Sequence, residues 1–418
     1  MGLLTRICCL SAILILSAGI LISAPSAEAT EHDKERTLKL RTDLDTEFSE
    51  SLDATNSRHM ETVQCILDRI NWRYEIVSSP VMRNRILTRK NEIDGFFLHS
   101  PKLVSEDIAL ASQPVAIERW YMFQRKEGLS SSAGGQSVGA VLGSNEHRWL
   151  KQRNFDHIVT APSLSSIVKM LHRERISYAL ADQTRFWRNV FLTETPAREF
   201  SAYFVRYAPL VMYFSNGFIE RNPTFLDTFN NNIDYCVQDR LKPKIEEARL
   251  LMNIQQELLL SDGNFRTLLK LTKEALESPP KIVSTEDEDN RWKEAQIKGN
   301  RTRLMDEIEN TPLSEFLRRL TGLTNGKISE LFIMDIDGYL IGMNQVTSDY
   351  WQGDEAPYQS IIEKGYRLHI SEIDFDASTQ KFQIQITTPL MDPKTNTVLG
   401  LMTTGFDADL ALTTALEF

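Results

Sequence analysis

Residues 74–98, YEIVSSPVMRNRILTRKNEIDGFFL, contain the pattern that decides the fold of the first half of the chain. Tyr74 to Val77 is predicted to be a strand, Met82 to Lys90 a helix, and Ile93 to Leu98 the next strand. Strand, helix and strand at this spacing predict a right-handed crossover and a parallel sheet with helices packed on it. The carboxyl edge of such an open sheet is the place where ligands bind.

The same alternation continues on both sides of this stretch. Upstream, Leu38 to Leu44 is strand-like, and the apolar residues between Met60 and Ile70 fall on one helical face. Downstream, residues 137–181 again alternate between strands and helices. The extended segments Trp120 to Arg125 and Ala202 to Phe214 join the two units, which predicts two lobes connected by crossing strands.

Five segments of this region resemble the type 2 periplasmic solute-binding proteins, and they occur in the order found in that family. The segments are GFFLHSP (95–101), IALASQPVAIERWYMF (108–123), SVGAVLGSNEHRWL (137–150), SLSSIVKMLHRERISYALAD (163–182) and PLVMYFSNGFIERNPTFLDTFNNNID (209–234). The resemblance covers residues 36–242. It implies an α/β two-lobed domain that closes around a small ligand.

The resemblance also implies ligand contacts in this first domain. Gly143 and Ser144 would open a helix whose free amides hold an anionic group, Ser100 matches a small polar contact, and Asp182 matches the carboxylate that holds a ligand ammonium. Leu103 stands where amino-acid binders carry the Arg that grips the ligand carboxylate, so an amino acid lacks its usual partner. Asp182 and Ser144 as ordinary helix caps are the open alternative.

Residues 243–328 are predicted to be a helical linker followed by the N-terminal helices of a second domain. Apolar residues recur at helical spacing from Ile245 to Leu276, interrupted by a turn signal around Ser261 to Gly263. The acidic run Glu286 to Asp289 is expected to be solvated surface, as such runs usually are.

Residues 329–413 have the pattern of an antiparallel sheet. Asp335 to Gly338 predicts a hairpin turn between the strands Ser329 to Met334 and Tyr339 to Asn344. Lys381 to Pro389 alternates between apolar and polar residues, and Val398 to Phe406 forms the next strand. We therefore expect an α+β domain with a meander beside helices.

Three segments of this second region resemble the PAS-like extracytoplasmic sensor domains called Cache or PDC. They are ELFIMDIDGYLIG (330–342), VTSDYWQGDEAPY (346–358) and ITTPLMDPKTNTVLGLMTTGFD (386–407). The resemblance implies that the loop 346–358 covers a pocket on one face of the sheet, where carboxylates would meet ammonium groups and aromatic rings would stack. The implied ligand-binding residues are Asp349, Tyr350, Trp351, Asp354, Tyr358 and Thr403.

Each of these roles has an alternative. Tyr350 and Trp351 can instead fill the core of their own domain, and Asp354 can cap the helix that begins near Ala356. Asp335 and Asp337 are read as turn formers rather than metal ligands, because Asp bonds its own backbone in turns.

The N-terminus predicts export. Residues 1–29 combine Arg6, an apolar run and Ala27-Glu28-Ala29, which is typical of a cleaved secretory signal; an uncleaved membrane anchor is the alternative, and the apolar run is short for one. Cys65 and Cys236 remain after cleavage and can form one disulfide in a periplasmic protein; two free thiols are the alternative. The net charge of −10 disfavours nucleic acid as a partner.

These features together predict an exported, non-catalytic, ligand-binding sensory protein. No phosphate loop, zinc motif or nucleophile elbow occurs, so we expect no enzyme activity, cofactor or metal. The expected ligand is a small molecule, amine or amino-acid-like, and the expected partner is a membrane sensor kinase, chemoreceptor or permease. The alternatives are the substrate-binding subunit of an ABC-type uptake transporter and an interaction or structural protein without a small-molecule ligand.

Overall fold

The computed structural model describes residues 37–42, 54–101, 103–126, 137–237, 242–260, 263–279, 285–376 and 381–413. The predicted signal peptide lies outside these residues. Within the described ranges, no helix combines the length and the apolar character that a membrane span requires. The residues from Leu38 onward form one compact unit.

The first lobe is built on three parallel strands, as its sequence pattern predicts. Strand β1 (Leu38–Thr42) lies between β2 (Tyr74–Ser78) and β3 (Gly95–His99) and pairs in parallel with both. Helices α1 (Ala54–Arg69) and α2 (Val81–Arg89) make the crossovers. Apolar residues of α1 such as Val63 and Leu67 are buried against the sheet, so the amphipathic pattern and the crossover support each other.

The second lobe repeats this arrangement. Strand β6 (Val138–Val141) pairs in parallel with β7 (Ile158–Ala161) and with β8 (Tyr178–Asp182). Helices α3 (Asn145–Gln152) and α4 (Leu164–His172) connect them, and α4 buries the apolar face that its spacing predicts. The two-lobed α/β prediction is thus confirmed at the level of strand order.

Two long antiparallel strands join the lobes into one nine-stranded sheet. Strand β5 (Ala116–Arg125) pairs with β9 (Phe200–Ser215) along its whole length. Strand β9 continues into the first lobe, where it pairs with β3 and with the short β4 (Ala109–Ala111), while β5 pairs with β8 of the second lobe. We call β5 and β9 the hinge strands.

Helix α5 (Gln183–Leu192) lies between β8 and the hinge strand β9, and the helices that close the first domain follow β9. They are α6 (Asn216–Arg221), α7 (Phe225–Asn230) and α8 (Ile233–Val237). Of the two alternatives for the cysteines, the structure has the disulfide: it joins Cys65 of α1 to Cys236 of α8, with the Sγ atoms 2.02 Å apart. It ties the start of the first lobe to the end of the domain.

The C-terminal part contains a separate six-stranded sheet. Its central strands are antiparallel, in the order β11, β10, β15, β14, β12, and β13 pairs with β14. The strands are β10 (Ile328–Met334), β11 (Leu340–Met343), β12 (His369–Ile370), β13 (Asp374–Asp376), β14 (Lys381–Met391) and β15 (Val398–Asp407). The helices are α9 (Ile245–Leu260), α10 (Asn264–Glu277), α11 (Thr285–Lys298), α12 (Arg303–Glu309), α13 (Pro312–Gly322), α14 (Ala356–Tyr358) and α15 (Ala408–Leu412).

The hinge strands and the C-terminal sheet share one hydrophobic core. Phe204 and Tyr207 of β9 are buried in the same cluster as Phe382 of β14, and the rings of Tyr207 and Phe382 meet edge to face at 5.5 Å. On β5, Arg119 Nε lies 3.4 Å from Glu247 Oε1 of α9. The strands that connect the lobes are therefore also a wall of the second domain.

Candidate ligand-binding cleft

A cleft of about 770 Å³ lies between the two lobes, and residues of both lobes line it. The first lobe contributes the N-terminal turn of α2 and the end of β3, and the second contributes the first turns of α3 and the start of α5. The hinge strands form its floor through Glu118 and Leu210. The cleft thus lies where the sheet topology predicts a ligand site.

Glu118 is the most perturbed ionisable group of this cleft. Its side chain is buried, its Oε2 accepts from Trp120 Nε1 at 2.8 Å, and its Oε1 lies 3.4 Å from Arg185 Nη1. Burial, together with the neighbouring charge of Glu146, raises the pKa of Glu118 to about 8. A carboxyl in a cleft with a pKa shifted by burial and by a specific charged neighbour is a candidate for a functional role.

Basic side chains outnumber acids around the cleft. The bases are Arg85, Arg148, Lys151 and Arg185, and the acids are Glu118 and Glu146. Both acids are buried, whereas Arg85, Arg148 and Arg185 are partly exposed and Lys151 is exposed. The open side of the cleft is therefore positively charged and suits a ligand with an anionic group.

The start of α3 forms one edge of the cleft and contains the predicted Gly143 and Ser144. Ser144 caps the helix, because its Oγ accepts from the backbone N–H of His147 at 3.2 Å. The N–H of Gly143, which has a φ of +80°, donates to His147 Nδ1 at 3.0 Å. Both residues line the cleft, but Gly143 directs its backbone donor to a protein acceptor.

Asn145 connects the two lobes at the rim of the cleft. Its Oδ1 accepts from the N–H of the predicted Ser100 at 3.4 Å, and its Nδ2 donates to the carbonyl of Leu98 at 3.5 Å. Leu98 has a φ of +68°, in the left-handed region that a leucine seldom occupies. Such strain concentrates at ligand sites, where surrounding contacts hold it in place.

Asp182 lies behind the cleft rather than on its wall. Its Oδ1 accepts from the N–H of Arg185, so it caps α5, and its Oδ2 accepts from the N–H of Arg119 on the hinge strand. Both bonds are 3.0 Å long. The capping alternative describes this geometry, and the ammonium-binding role of Asp182 stays a prediction from the resemblance.

In the second domain, Tyr350 belongs to the core. It is buried between Trp292, whose ring centroid lies at 5.7 Å, and Tyr339, at 5.4 Å. Its backbone N–H and that of Trp351 both donate to Asp289 Oδ1, at 3.0 and 2.9 Å. The core-filling alternative thus describes Tyr350.

The Trp351 side chain contacts both the turn 335–338 and Gly353. Its indole N–H donates to the carbonyl of Asp337 at 3.0 Å, and its ring passes so close to Gly353 that a Cβ there would meet it at 2.4 Å. Position 353 therefore requires glycine, because the Trp351 ring occupies the space that a side chain there would need. The turn-forming role of Asp335 is confirmed, since its Oδ1 accepts from the N–H of Asp337 and of Tyr339.

The remaining predicted residues of the second domain are distributed over three places. The carboxylates of Asp349, Asp354 and Glu355 approach within 4.8 Å of one another, a geometry that could hold a cation, and burial raises the pKa of Asp349 and Glu355. Tyr358 donates from its hydroxyl to the carbonyl of Ile336. Thr403 is buried on the sheet against Thr387, with their hydroxyls 2.9 Å apart.

Sequence reasoning missed several residues of both regions. The solvated-surface prediction for the run 286–289 is wrong at Asp289, which is buried and holds the loop at Tyr350 while Lys293 lies 2.7 Å from its Oδ2. Helical periodicity was the available signal, because the run belongs to α11 and Asp289 shares a face with Trp292 and Lys293. Glu118 and Arg185 carried no local signal, since they meet only across the fold.

No family model matches this chain, and no curated protein matches it. Solved structures match about half of the chain. One is a histidine kinase sensor domain with similarity to periplasmic binding proteins. It matches at 15% identity over 49% of this chain and 91% of its own length, with a TM-score of 0.38. An ancestral arginine-binding protein bound to arginine matches at 15% identity over 49% and 93%, with a TM-score of 0.38. The VFT2 domain of BvgS from Bordetella pertussis, a double mutant, matches at 16% over 48% and 91%, with a TM-score of 0.36. At these values we transfer no ligand or role, and the fold assignment rests on the strand order above.

Proposed function

We propose that this chain is an exported, non-catalytic sensory protein that binds a small molecule in its interlobe cleft and passes occupancy to its C-terminal domain. One observation carries the proposal: the hinge strands line the cleft on one side and the core of the second domain on the other. Leu210 of β9 lines the cleft, while Tyr207 of the same strand packs on Phe382.

The hinge strand β5 supports the same conclusion with two adjacent residues. Glu118 faces the cleft, whereas Arg119 lies against Glu247 of α9 and donates to the carbonyl of Lys242 at 2.7 Å. When two lobes close on a ligand, the strands that cross between them absorb the rotation. Closure would therefore alter contacts that also hold α9 and the second sheet.

The charge around the cleft defines the proposed ligand class. Arg85, Arg148 and Arg185 favour a small molecule with an anionic group, and the buried Glu146 offers an acceptor to a donor group. An amino-acid-like or organic acid ligand combines these features. We place the protein in the periplasm and its partner in the membrane, as a sensor kinase or chemoreceptor, on the basis of the predicted signal and the second domain.

Thermal-shift measurements on the mature protein test ligand binding, with amino acids, organic acids and amines as probes. Because a ligand stabilises the folded state by mass action, a hit raises the melting temperature. Arg85→Gln should reduce the shift, and Arg83→Gln, an exposed residue on the same helix that does not line the cleft, should leave it unchanged. An equal effect of both variants, or no hit in the whole panel, would argue against the cleft.

Hydrogen exchange then separates sensing from simple solute delivery. For a hit, we expect altered protection in residues 201–209 and also in 398–407 of the second sheet. Changes confined to residues 37–237 would contradict the sensory proposal and favour the uptake alternative.

A further inference from the structure

A second pocket of about 250 Å³ lies beside the cleft, and Leu103, Asn145 and Arg148 line both. Its remaining walls come from the residues after β3, from Trp149 of α3 and from Arg206 of the hinge strand β9. Trp149 and Arg206 do not line the large cleft. The pocket is thus a separate space at the junction of both lobes and a hinge strand.

Three of the polar side chains that line this pocket, those of Arg148, Trp149 and Arg206, are donors only. The indole Nε1–H of Trp149 is buried and has no hydrogen-bond acceptor within the described part of the chain. A buried donor without an acceptor is costly, so its presence indicates that a group outside the protein, a water or a ligand oxygen, accepts from it. A ligand in this pocket therefore gains a hydrogen bond if it places an acceptor oxygen at the indole.

Two guanidinium groups line the same space. Arg206 donates from Nε to the carbonyl of Tyr207 at 2.8 Å, and its Nη2 lies 3.9 Å from Asp409 Oδ2, too far for a hydrogen bond. Arg148 donates from Nη1 to the carbonyl of Gly143 at 2.5 Å and from Nη2 to Asn145 Oδ1. None of the described residues that line the pocket is Asp or Glu, so the lining itself carries two positive charges and no negative one.

The other walls are apolar. Trp120, Leu103 and Pro209 face the same space, together with Pro101 and Ala208. An inorganic anion would satisfy the donors but leave these surfaces against water, whereas an organic acid would cover both. Donors beside apolar walls therefore favour an organic acid over an inorganic anion as the ligand of this pocket.

We propose that this pocket binds a small organic carboxylate, whose carboxylate group accepts from Trp149 Nε1–H and from the guanidinium groups of Arg148 and Arg206. Its carbon body lies on Trp120 and Pro209. Because the pocket is bounded by α3, by the segment after β3 and by β9, a bound carboxylate holds both lobes and the hinge strand together. This inference does not depend on what the large cleft binds.

Calorimetric titration of the mature protein with benzoate tests the proposal, with inorganic phosphate as the comparison probe. Trp149→Phe keeps an aromatic ring, although a smaller one, and removes the donor, so we expect benzoate to bind about tenfold or more weakly. Trp187→Phe, a tryptophan packed against Phe123 away from the pocket, is the matched control and should bind as the unchanged protein does.

A second variant tests the same pocket and leaves Trp149 unchanged. Gln152 is an exposed residue at the edge of the pocket, so Gln152→Glu should fold normally and weaken benzoate binding by adding a like charge. Arg83→Gln, an exposed residue of α2 that lines neither the pocket nor the large cleft, should leave benzoate binding unchanged. The proposal is overturned if benzoate does not saturate the protein, if Trp149→Phe and Gln152→Glu both bind it normally, or if phosphate binds as tightly with the same dependence on these variants.

Discussion

The backbone N–H of Tyr207 donates to Oδ1 of Asp409 across 2.8 Å, which ties a hinge strand of the interlobe cleft to α15 in the second domain. Tyr207 is fully buried, so its N–H has no access to water. The two residues are 202 positions apart in the sequence, and their bond depends on the correct packing of both domains.

Removal of this acceptor should destabilise the whole protein. We expect Asp409→Ala to lower the free energy of unfolding by about 1–3 kcal/mol, because it leaves a buried N–H without an acceptor. Asp409→Asn keeps an oxygen at the same position and should lose less. Urea unfolding measures both, and equal stability of the alanine variant and the unchanged protein would show that the bond is unimportant.

Glu118 should make stability depend on pH. Burial raises its pKa to about 8, so the folded state holds this proton more tightly than the unfolded chain, where the pKa is about 4.3. The stability that this proton contributes is fully present below the pKa of Glu118 in the unfolded chain. It is lost as the pH rises through the pKa of Glu118 in the folded state. Between about pH 5 and pH 8 the free energy of unfolding should fall by an amount on the order of a few kcal/mol.

The control for this prediction is Glu118→Gln, whose amide does not titrate. Its free energy of unfolding should fall less over the same interval, as measured by urea unfolding at several pH values. Parallel pH profiles of the two proteins would exclude Glu118 as the source of the dependence.

Asp289 should be the residue that holds the loop at Tyr350. Its Oδ1 accepts from the N–H groups of Tyr350 and Trp351, so Asp289→Ala removes the acceptor of both and should cost about 2–4 kcal/mol. Glu286→Ala, in the first turn of the same helix, is exposed and should change the stability by less than about 0.5 kcal/mol. A similar loss in both variants, measured by thermal unfolding, would count against this role.

The disulfide should stabilise the protein through its long loop. Cys65 and Cys236 are separated by 171 residues, and closing a loop of this length removes much conformational entropy from the unfolded chain. We expect the double substitution Cys65→Ser and Cys236→Ser to cost about 3–5 kcal/mol. The unfolding midpoint of the unchanged protein should fall to a similar value on reduction, and insensitivity to reductant would contradict the prediction.

Most secondary structure could be predicted because its signal is local. The helix over Asn145–Gln152 was predicted with the observed bounds, and β14 and β15 were predicted to within two residues at each end. Apolar residues at helical or alternate spacing reveal which face is buried, whichever element covers it. The roles of side chains were harder, as Asp182 and Tyr350 illustrate: the structure places one as a cap and the other in the core.

By itself, the sequence determined the two α/β units, the antiparallel C-terminal sheet and the pair of cysteines available for a disulfide, since these follow from periodicity, turn residues and composition. Only the tertiary structure decided that Glu118 meets Arg185, that Asp289 is buried beneath Tyr350, and that Tyr207 belongs to the core of the second domain. The physical reason is that burial and long-range pairing depend on which surfaces the folded chain brings together. A residue's immediate neighbours in sequence do not contain that information.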